Sequence, residues 1–190
     1  MVDPDLELLD RWCGGDASAG NQLFGRHFAD VFRFFEGKTF GEEDDLGQEV
    51  WLQCTLSRDA FRRQSTFRTY LFAIARHVLH QYYRKKAKAL PAIDFEEISI
   101  ESLSTSVGSR LAKHSDRARL LDSLRKLPVE DQTLLELYYW QDFDRPQLAE
   151  IYGVEPATIG SRLHRARVAM KGLLEVADID TWEAVTRRKP

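Results

Sequence analysis

The chain has 190 residues, 43% of them hydrophobic, with 27 Lys and Arg against 30 Asp and Glu and a net charge of -3 at pH 7. That is apolar material for one domain or two small ones, and the slight acidity excludes a protein that coats nucleic acid by bulk positive charge, since sequence-independent binding neutralises many phosphates. Cys13 and Cys54 show no CxxC or Cys/His ligand spacing, so neither a disulfide framework nor a zinc site is expected, and no metal or other cofactor.

Strand signals are scarce, and apolar residues recur at three- and four-residue spacing along most of the chain, which predicts an all-α protein. The acidic start "MVDPDLELLD" is unlike a signal peptide, and no apolar run reaches the roughly 18 residues of a membrane span. A cytoplasmic protein with no membrane span is expected. Asp3 is a candidate N-cap with Pro4 at the first helical position. A second helix is predicted from near Ala17 to Glu36, with Gly37 ending it. Leu46, Val50 and Cys54 mark one buried face between Glu43 and Leu56, and Phe67, Leu71, Ile74, Ala75, Val78, Leu79 and Tyr82 mark another.

The period then fails. Residues 89–112 hold Pro91, a serine-rich patch and the acids Asp94, Glu96, Glu97 and Glu101, and are read as an extended acidic linker between two small helical domains. The first domain is expected over 1–88 and the second over 113–176, with 177–190 as a tail. Helices are predicted from about Leu111 to Leu127 and from Val129 to Tyr139, on either side of the breaker Pro128. Asp144 and Gln147 have capping-box spacing, Gly153 ends the next helix, and Pro156 opens another. Two helices joined by a short Gly-containing turn form a helix-turn-helix.

On the helix from Pro156, Ile159, Leu163, Ala166, Met170 and Leu173 share a stripe that must face the core, which turns Ala157, Ser161, His164 and Arg165 outward with Arg162 and Arg167 on the flanks. A solvated face normally mixes charges, but no acid occurs from Pro156 to Leu174. An outward Ser/His/Arg face suits a major groove, where Arg bonds guanine and Ser or Thr bonds bases or phosphates.

At these residues, "ATIGSRLHRAR" resembles the promoter-reading C-terminal domain of the extracytoplasmic-function (ECF) group of bacterial sigma factors, whose pattern is G-T-V-K-S-R-L-x-R-A-R. Ala157 and Gly160 depart from it. The resemblance implies minus-35 DNA binding by Thr158, Ser161, Arg162, His164, Arg165, Arg167 and Lys171. "EEDDLGQEVWLQ" is similar to the family's D-L-x-Q-E-V-F-L segment, which implies docking of Asp45, Gln48, Glu49 and Leu52 on the clamp helices of the largest subunit of core RNA polymerase. Their i, i+3, i+4 and i+7 spacing puts them on one face.

"FRRQSTFRTYLFAIARHVLHQYYRKK" is similar to the family's minus-10 segment, with Tyr70 for Trp, His77 for Asn and Gln81 for the frequent Asp. The implied DNA-binding residues are Phe61, Arg62, Gln64, Ser65, Thr66, Arg68, Arg76, His77, His80 and Arg84, with the loop from Phe61 to Thr66 as the pocket for an unstacked base. Arg76, His80 and Arg84 recur every four residues as a cationic track, and nearby aromatics can stack on unpaired bases. The implied function is an RNA polymerase sigma factor that directs core polymerase to promoter DNA and helps open it, with an anti-sigma factor as a further family partner and no catalytic residues. Two rivals are weaker. A stand-alone helix-turn-helix regulator lacks a dimerisation seam, and an enzyme built on Glu42, Glu43, Asp44 and Asp45 is disfavoured because acids at a helix start normally complement its dipole.

Overall fold

The computed structural model describes residues 3–87, 98–103 and 116–176, and the chain divides into two compact units with the main break after Ala89. Four helices build the N-terminal unit: α1 (Pro4–Cys13), α2 (Ala17–Phe35), α3 (Glu43–Ser57) and α4 (Phe67–Ala87). The Asp3 carboxylate accepts the Asp5 N–H at 3.0 Å and Pro4 leads the first turn of α1. Asp16 caps α2 through the Ser18 and Ala19 N–H groups. The α1–α2 packing needs Gly20, since a Cβ there would lie 2.6 to 2.7 Å from the Trp12 ring. Gly37, at φ 75°, lets the chain leave α2.

Leu9, Leu23, Phe35, Val50, Cys54, Phe67, Leu71, Phe72, Ala75 and Tyr83 are fully buried and form the core of this unit. Ile74, placed in the buried stripe by spacing, is only half-buried. Lys38 lies in the core with its ammonium donating to the Phe34 carbonyl at 2.5 Å, and the Tyr83 hydroxyl donates to the Lys38 carbonyl. The buried charge thus satisfies a helix end that would otherwise leave a carbonyl unpaired.

The C-terminal unit holds α5 (Ile100–Leu103), α6 (Asp116–Lys126), α7 (Val129–Tyr139), α8 (Arg145–Tyr152) as far as Ala149, and α9 (Pro156–Val176). Among the described residues there is no strand, only an isolated antiparallel bridge between Ser99 and Pro128. The capping box forms in full: the Asp144 carboxylate accepts the Gln147 N–H at 2.8 Å and the Gln147 side-chain Oε1 accepts the Asp144 N–H at 2.9 Å. Phe143 and Leu148, on either side of it, are fully buried, as a hydrophobic staple requires. Gly153 takes φ 63° between α8 and α9.

Two expectations are corrected. The segment from 89 to 112 is not extended throughout. Ile98 and Ile100 are buried, the Ile98 carbonyl accepts the Val129 N–H at 2.9 Å, and α5 forms one turn with a Ser99–Ser102 side-chain cap. Residues 98–103 therefore pack as part of the C-terminal unit. On α9 the buried stripe closes with Leu174 instead of Leu173, which is half-buried. Eleven residues make three turns of an α-helix almost evenly, so Leu163 and Leu174 align. The readings of 89–97, 104–115 and the 177–190 tail lie outside the described residues.

Candidate nucleic-acid interface

On α9, Ile159, Leu163, Ala166 and Met170 are fully buried, which turns Thr158, Ser161, His164, Arg165 and Lys171 to the exposed side and leaves Arg162 half-buried at its edge. The Ser161 hydroxyl donates back to the Ala157 carbonyl at 3.2 Å, and its oxygen can still accept. The side chains of Thr158, His164 and Arg165 make no hydrogen bond to a described residue. Gly160 meets open space where a Cβ would be; nothing in the structure explains a glycine there.

Arg167 is placed differently. Its Nε donates to the Tyr139 hydroxyl at 2.8 Å, and its guanidinium lies 5.4 and 5.6 Å from the centroids of the Tyr138 and Tyr139 rings. This side chain braces α9 against α7. Asp131, on the first turn of α7, was not singled out from sequence. Burial pushes its carboxyl up, while the charges of Arg165 and Arg162 pull it back down. The acid that α9 lacks from Pro156 to Leu174 is thus supplied to its arginines by another helix.

In the N-terminal unit the loop before α4 has a defined shape. Phe61 stacks on Tyr70 with ring centroids 4.4 Å apart and planes at 24°, and the Tyr70 hydroxyl and Ser57 Oγ are 2.5 Å apart. Thr66 caps α4, its Oγ1 accepting the Thr69 N–H at 3.1 Å. Arg62 and Gln64 are exposed, and neither they nor Ser65 bond to a described residue. Arg63, inside the loop that the sequence marks as the base pocket, adopts φ 54° and its guanidinium binds Asp10 of α1.

Along α4, Arg68 reaches Asp30 at 4.0 Å and lies over the Phe72 ring. Arg76 and His80 are half-buried, and His77 and Arg84 exposed. Gln81 Nε2 is 2.7 Å from His77 Nε2, so the residue replacing the family's Asp orients this imidazole. The Phe61–Thr66 loop and the start of α4 are brought together. The Arg76, His80 and Arg84 track runs along the helix away from them.

On α3, Asp45, Gln48 and Leu52 are exposed, Leu52 by 54%, and Glu49 is half-buried, accepting from Gln53 Nε2 at 2.8 Å. Leu56, one turn beyond Leu52, is 77% exposed, and Phe24 and Phe28 on α2 are exposed by 41% and 46%. Phe24 also meets Trp51, with ring centroids 4.9 Å apart. Sequence reasoning missed all three; the signal for Leu56 was its i, i+4 spacing from Leu52 on a polar face. The N-terminus of α3 is fixed by Glu42, whose carboxylate accepts the Phe40 N–H at 2.9 Å, the Tyr82 hydroxyl at 3.0 Å and Lys86 Nζ at 3.1 Å. Burial pushes the Glu42 carboxyl up, but the bonds from Lys86, Tyr82 and Phe40 outweigh it and hold it below the usual range.

Two family models match the chain: Sigma-70 region 2 over residues 28–89 and Sigma-70 region 4 over residues 117–170. The ECF RNA polymerase sigma factor EcfG of Rhodopseudomonas palustris is 30% identical over 133 residues, covering 70% of this chain and 71% of that protein. The chain belongs to the sigma-70 family. Within it the chain is an ECF RNA polymerase sigma factor, and the stand-alone regulator is not favoured. The RNA polymerase sigma factor YlaC of Bacillus subtilis is 28% identical over 156 residues, 78% of this chain and 88% of that one.

Among solved structures, CnrH in complex with the cytosolic domain of CnrY superposes with a TM-score of 0.67 at 21% identity, over 90% of this sigma factor and 97% of that chain. RpoE of Bartonella quintana, in complex with the anti-sigma factor NepR, gives 0.63 at 22%, over 82% and 96%. These likenesses bear on the fold. As a sigma factor the chain is a DNA-binding initiation factor for RNA polymerase. No described helix is long and apolar enough to cross a membrane, and no described cluster of His, Cys, Asp and Glu could hold a metal ion.

Proposed function

We propose that this sigma factor reads the minus-35 element through Thr158, Ser161, Arg162, His164, Arg165 and Lys171 of α9. The observation that carries the reading is the exposed, acid-free face of a helix whose opposite side is wholly buried and whose partner α8 starts in a complete capping box. Arg167 then serves the interface indirectly, by bracing α9. Residues 61–66 form the pocket for an unstacked minus-10 base, and Arg68, Arg76, His77, His80 and Arg84 follow the backbone. Asp45, Gln48, Glu49 and Leu52 dock on the clamp helices of core polymerase, with Leu56 extending that face. The domains fall at 1–88 and 113–176, the second enlarged by residues 98–103, and the protein acts in the cytoplasm without catalytic residues. Complexes of similar sigma factors with CnrY and NepR support an anti-sigma partner here too.

The test is a mobility shift with and without core polymerase, plus permanganate probing of unpaired thymines. Since the chain is acidic overall and its basic faces are small, the protein alone gains little from counterion release on duplex DNA. Weak, salt-sensitive binding alone, and tight, selective binding with thymine reactivity once core enzyme is added, are expected. Nanomolar duplex binding by the free chain, with no reactivity after core is added, would overturn the assignment of these surfaces.

A further inference from the structure

Arg63 and Asp10 are 53 positions apart in sequence, yet both Arg63 Nε, at 2.8 Å, and its Nη2 donate to one Asp10 oxygen. Arg63 adopts φ 54°, a left-handed conformation that a long side chain rarely occupies. Such a backbone persists when its surroundings over-determine it, and here the surroundings come from α1. Close by, Arg58 lies over the Trp12 ring at 4.6 Å, a second tie between α1 and the segment leading into the loop. On the other side Phe61 is stacked on Tyr70 and Thr66 caps α4. The loop is therefore fastened at both ends and at Arg63, while Arg62, Gln64 and Ser65 are left unbonded among the described residues.

We infer that Asp10 is a positioning residue for opening the minus-10 element: by holding Arg63 it keeps the 61–66 loop in the shape that presents Gln64 and Ser65 to an unstacked base. This rests on the reading of that loop as the base pocket. Asp10 does not touch DNA in this account, and Arg63 is withheld from the phosphates. The alternative, a direct Arg63–phosphate contact, makes the opposite forecast for removal of Asp10, because a freed guanidinium would strengthen DNA binding and steepen its salt dependence by about one counterion.

The experiment uses holoenzyme assembled with the full chain and a promoter duplex carrying 2-aminopurine in the minus-10 non-template strand, whose fluorescence reports unstacking. Asp10→Ala suits the test because alanine favours the exposed helix it joins. Exposed ion pairs are modest, so a loss of opening of about two- to fivefold is expected, with core affinity and the salt slope unchanged. Arg63→Asn, which tolerates the left-handed backbone, should lose as much, and combining it with Asp10→Ala should add little. The exchanged pair Asp10→Arg with Arg63→Asp should recover opening. Unchanged or enhanced opening in Asp10→Ala, or failure of the exchange, overturns the inference. Gln64→Ala with Ser65→Ala is measured in parallel. If that variant lowers opening while Asp10→Ala does not, the pocket stands and only the role of Asp10 falls; if it has no effect, the pocket reading falls and the inference with it.

Discussion

Arg167 Nε donates to the Tyr139 hydroxyl at 2.8 Å, joining α9 to α7 through a residue that the family resemblance assigns to DNA. Tyr139→Phe deletes that bond and keeps the ring, and should cost about 1 kcal/mol of stability. Arg167→Ala also loses the contacts with both tyrosine rings, worth about 0.5 to 1 kcal/mol more at a part-exposed site. Thermal unfolding checks both values. Neither variant should change the slope of promoter affinity against salt, whereas loss of a phosphate contact lowers it by about one. A lower slope for Arg167→Ala with an unchanged melting temperature would return Arg167 to the DNA.

Arg165 and Asp131 should act in opposite directions. Arg165→Ala should weaken minus-35 binding selectively by about 1 to 3 kcal/mol if its contact to guanine is bidentate, measured as holoenzyme affinity for the promoter against a scrambled minus-35 element. Asp131→Asn removes a negative charge facing Arg165 and Arg162 and should raise affinity for both duplexes together. The pH dependence has a defined sign. Burial holds the Asp131 carboxyl above its ordinary value, so as pH falls this group gains its proton before ordinary carboxylates do. Duplex affinity should therefore rise on mild acidification in the wild type, and this arm should flatten in Asp131→Asn. For stability, a carboxyl with a raised folded pKa contributes below the ordinary value, and the contribution is lost as pH rises through the folded one.

Features set by neighbours in the chain were legible from the sequence. The Asp144–Gln147 box, the caps at Asp3 and Gly153, and the span of α7 from Val129 to Tyr139 each depend on spacings of a few residues, and each formed as expected. Long-range partners were not. No local pattern says that Arg63 turns to Asp10, that Arg167 turns back to Tyr139, or that Asp131 faces the arginines of α9. Helical period placed Arg167 on a flank correctly, but only the packing of α7 decides which way a flanking side chain turns. The turn at Ile100–Leu103 was missed because four residues are too few to show a period, and its acidic, serine-rich setting reads as linker.

That turn can be tested through Ile98. Its side chain is buried and its carbonyl receives the Val129 N–H across the start of α7. Ile98→Ala keeps the backbone bond and removes buried methyl groups, which should cost about 2 kcal/mol or more, because surrounding helices fill such cavities only in part. Chemical denaturation followed by a probe in the C-terminal unit should show the loss, and Glu101→Ala, at an exposed position on the same turn, should show almost none. Equal stability of Ile98→Ala and wild type would make the segment a passive linker after all.

The polymerase-facing surface combines polar residues that fix orientation with exposed leucines that would be buried on docking. Asp45 and Gln48 are exposed, so Asp45→Ala with Gln48→Ala should shift stability by less than about half a kcal/mol, while weakening binding to core polymerase. Leu52 and Leu56 lie one turn apart, 54% and 77% exposed, and an exposed apolar pair gives the free protein little that solvent would not. Covered by a partner, each buried leucine contributes on the order of 1.5 to 3 kcal/mol. Leu52→Ser with Leu56→Ser should therefore leave the melting temperature near that of the wild type and cost core affinity at least tenfold, the larger loss of the two double variants. Fluorescence anisotropy of the labelled sigma factor titrated with core enzyme measures both, and circular dichroism reports whether α3 stays helical. A fall in melting temperature with unchanged core affinity would show that these leucines support the fold of the N-terminal unit and that the docking face lies elsewhere.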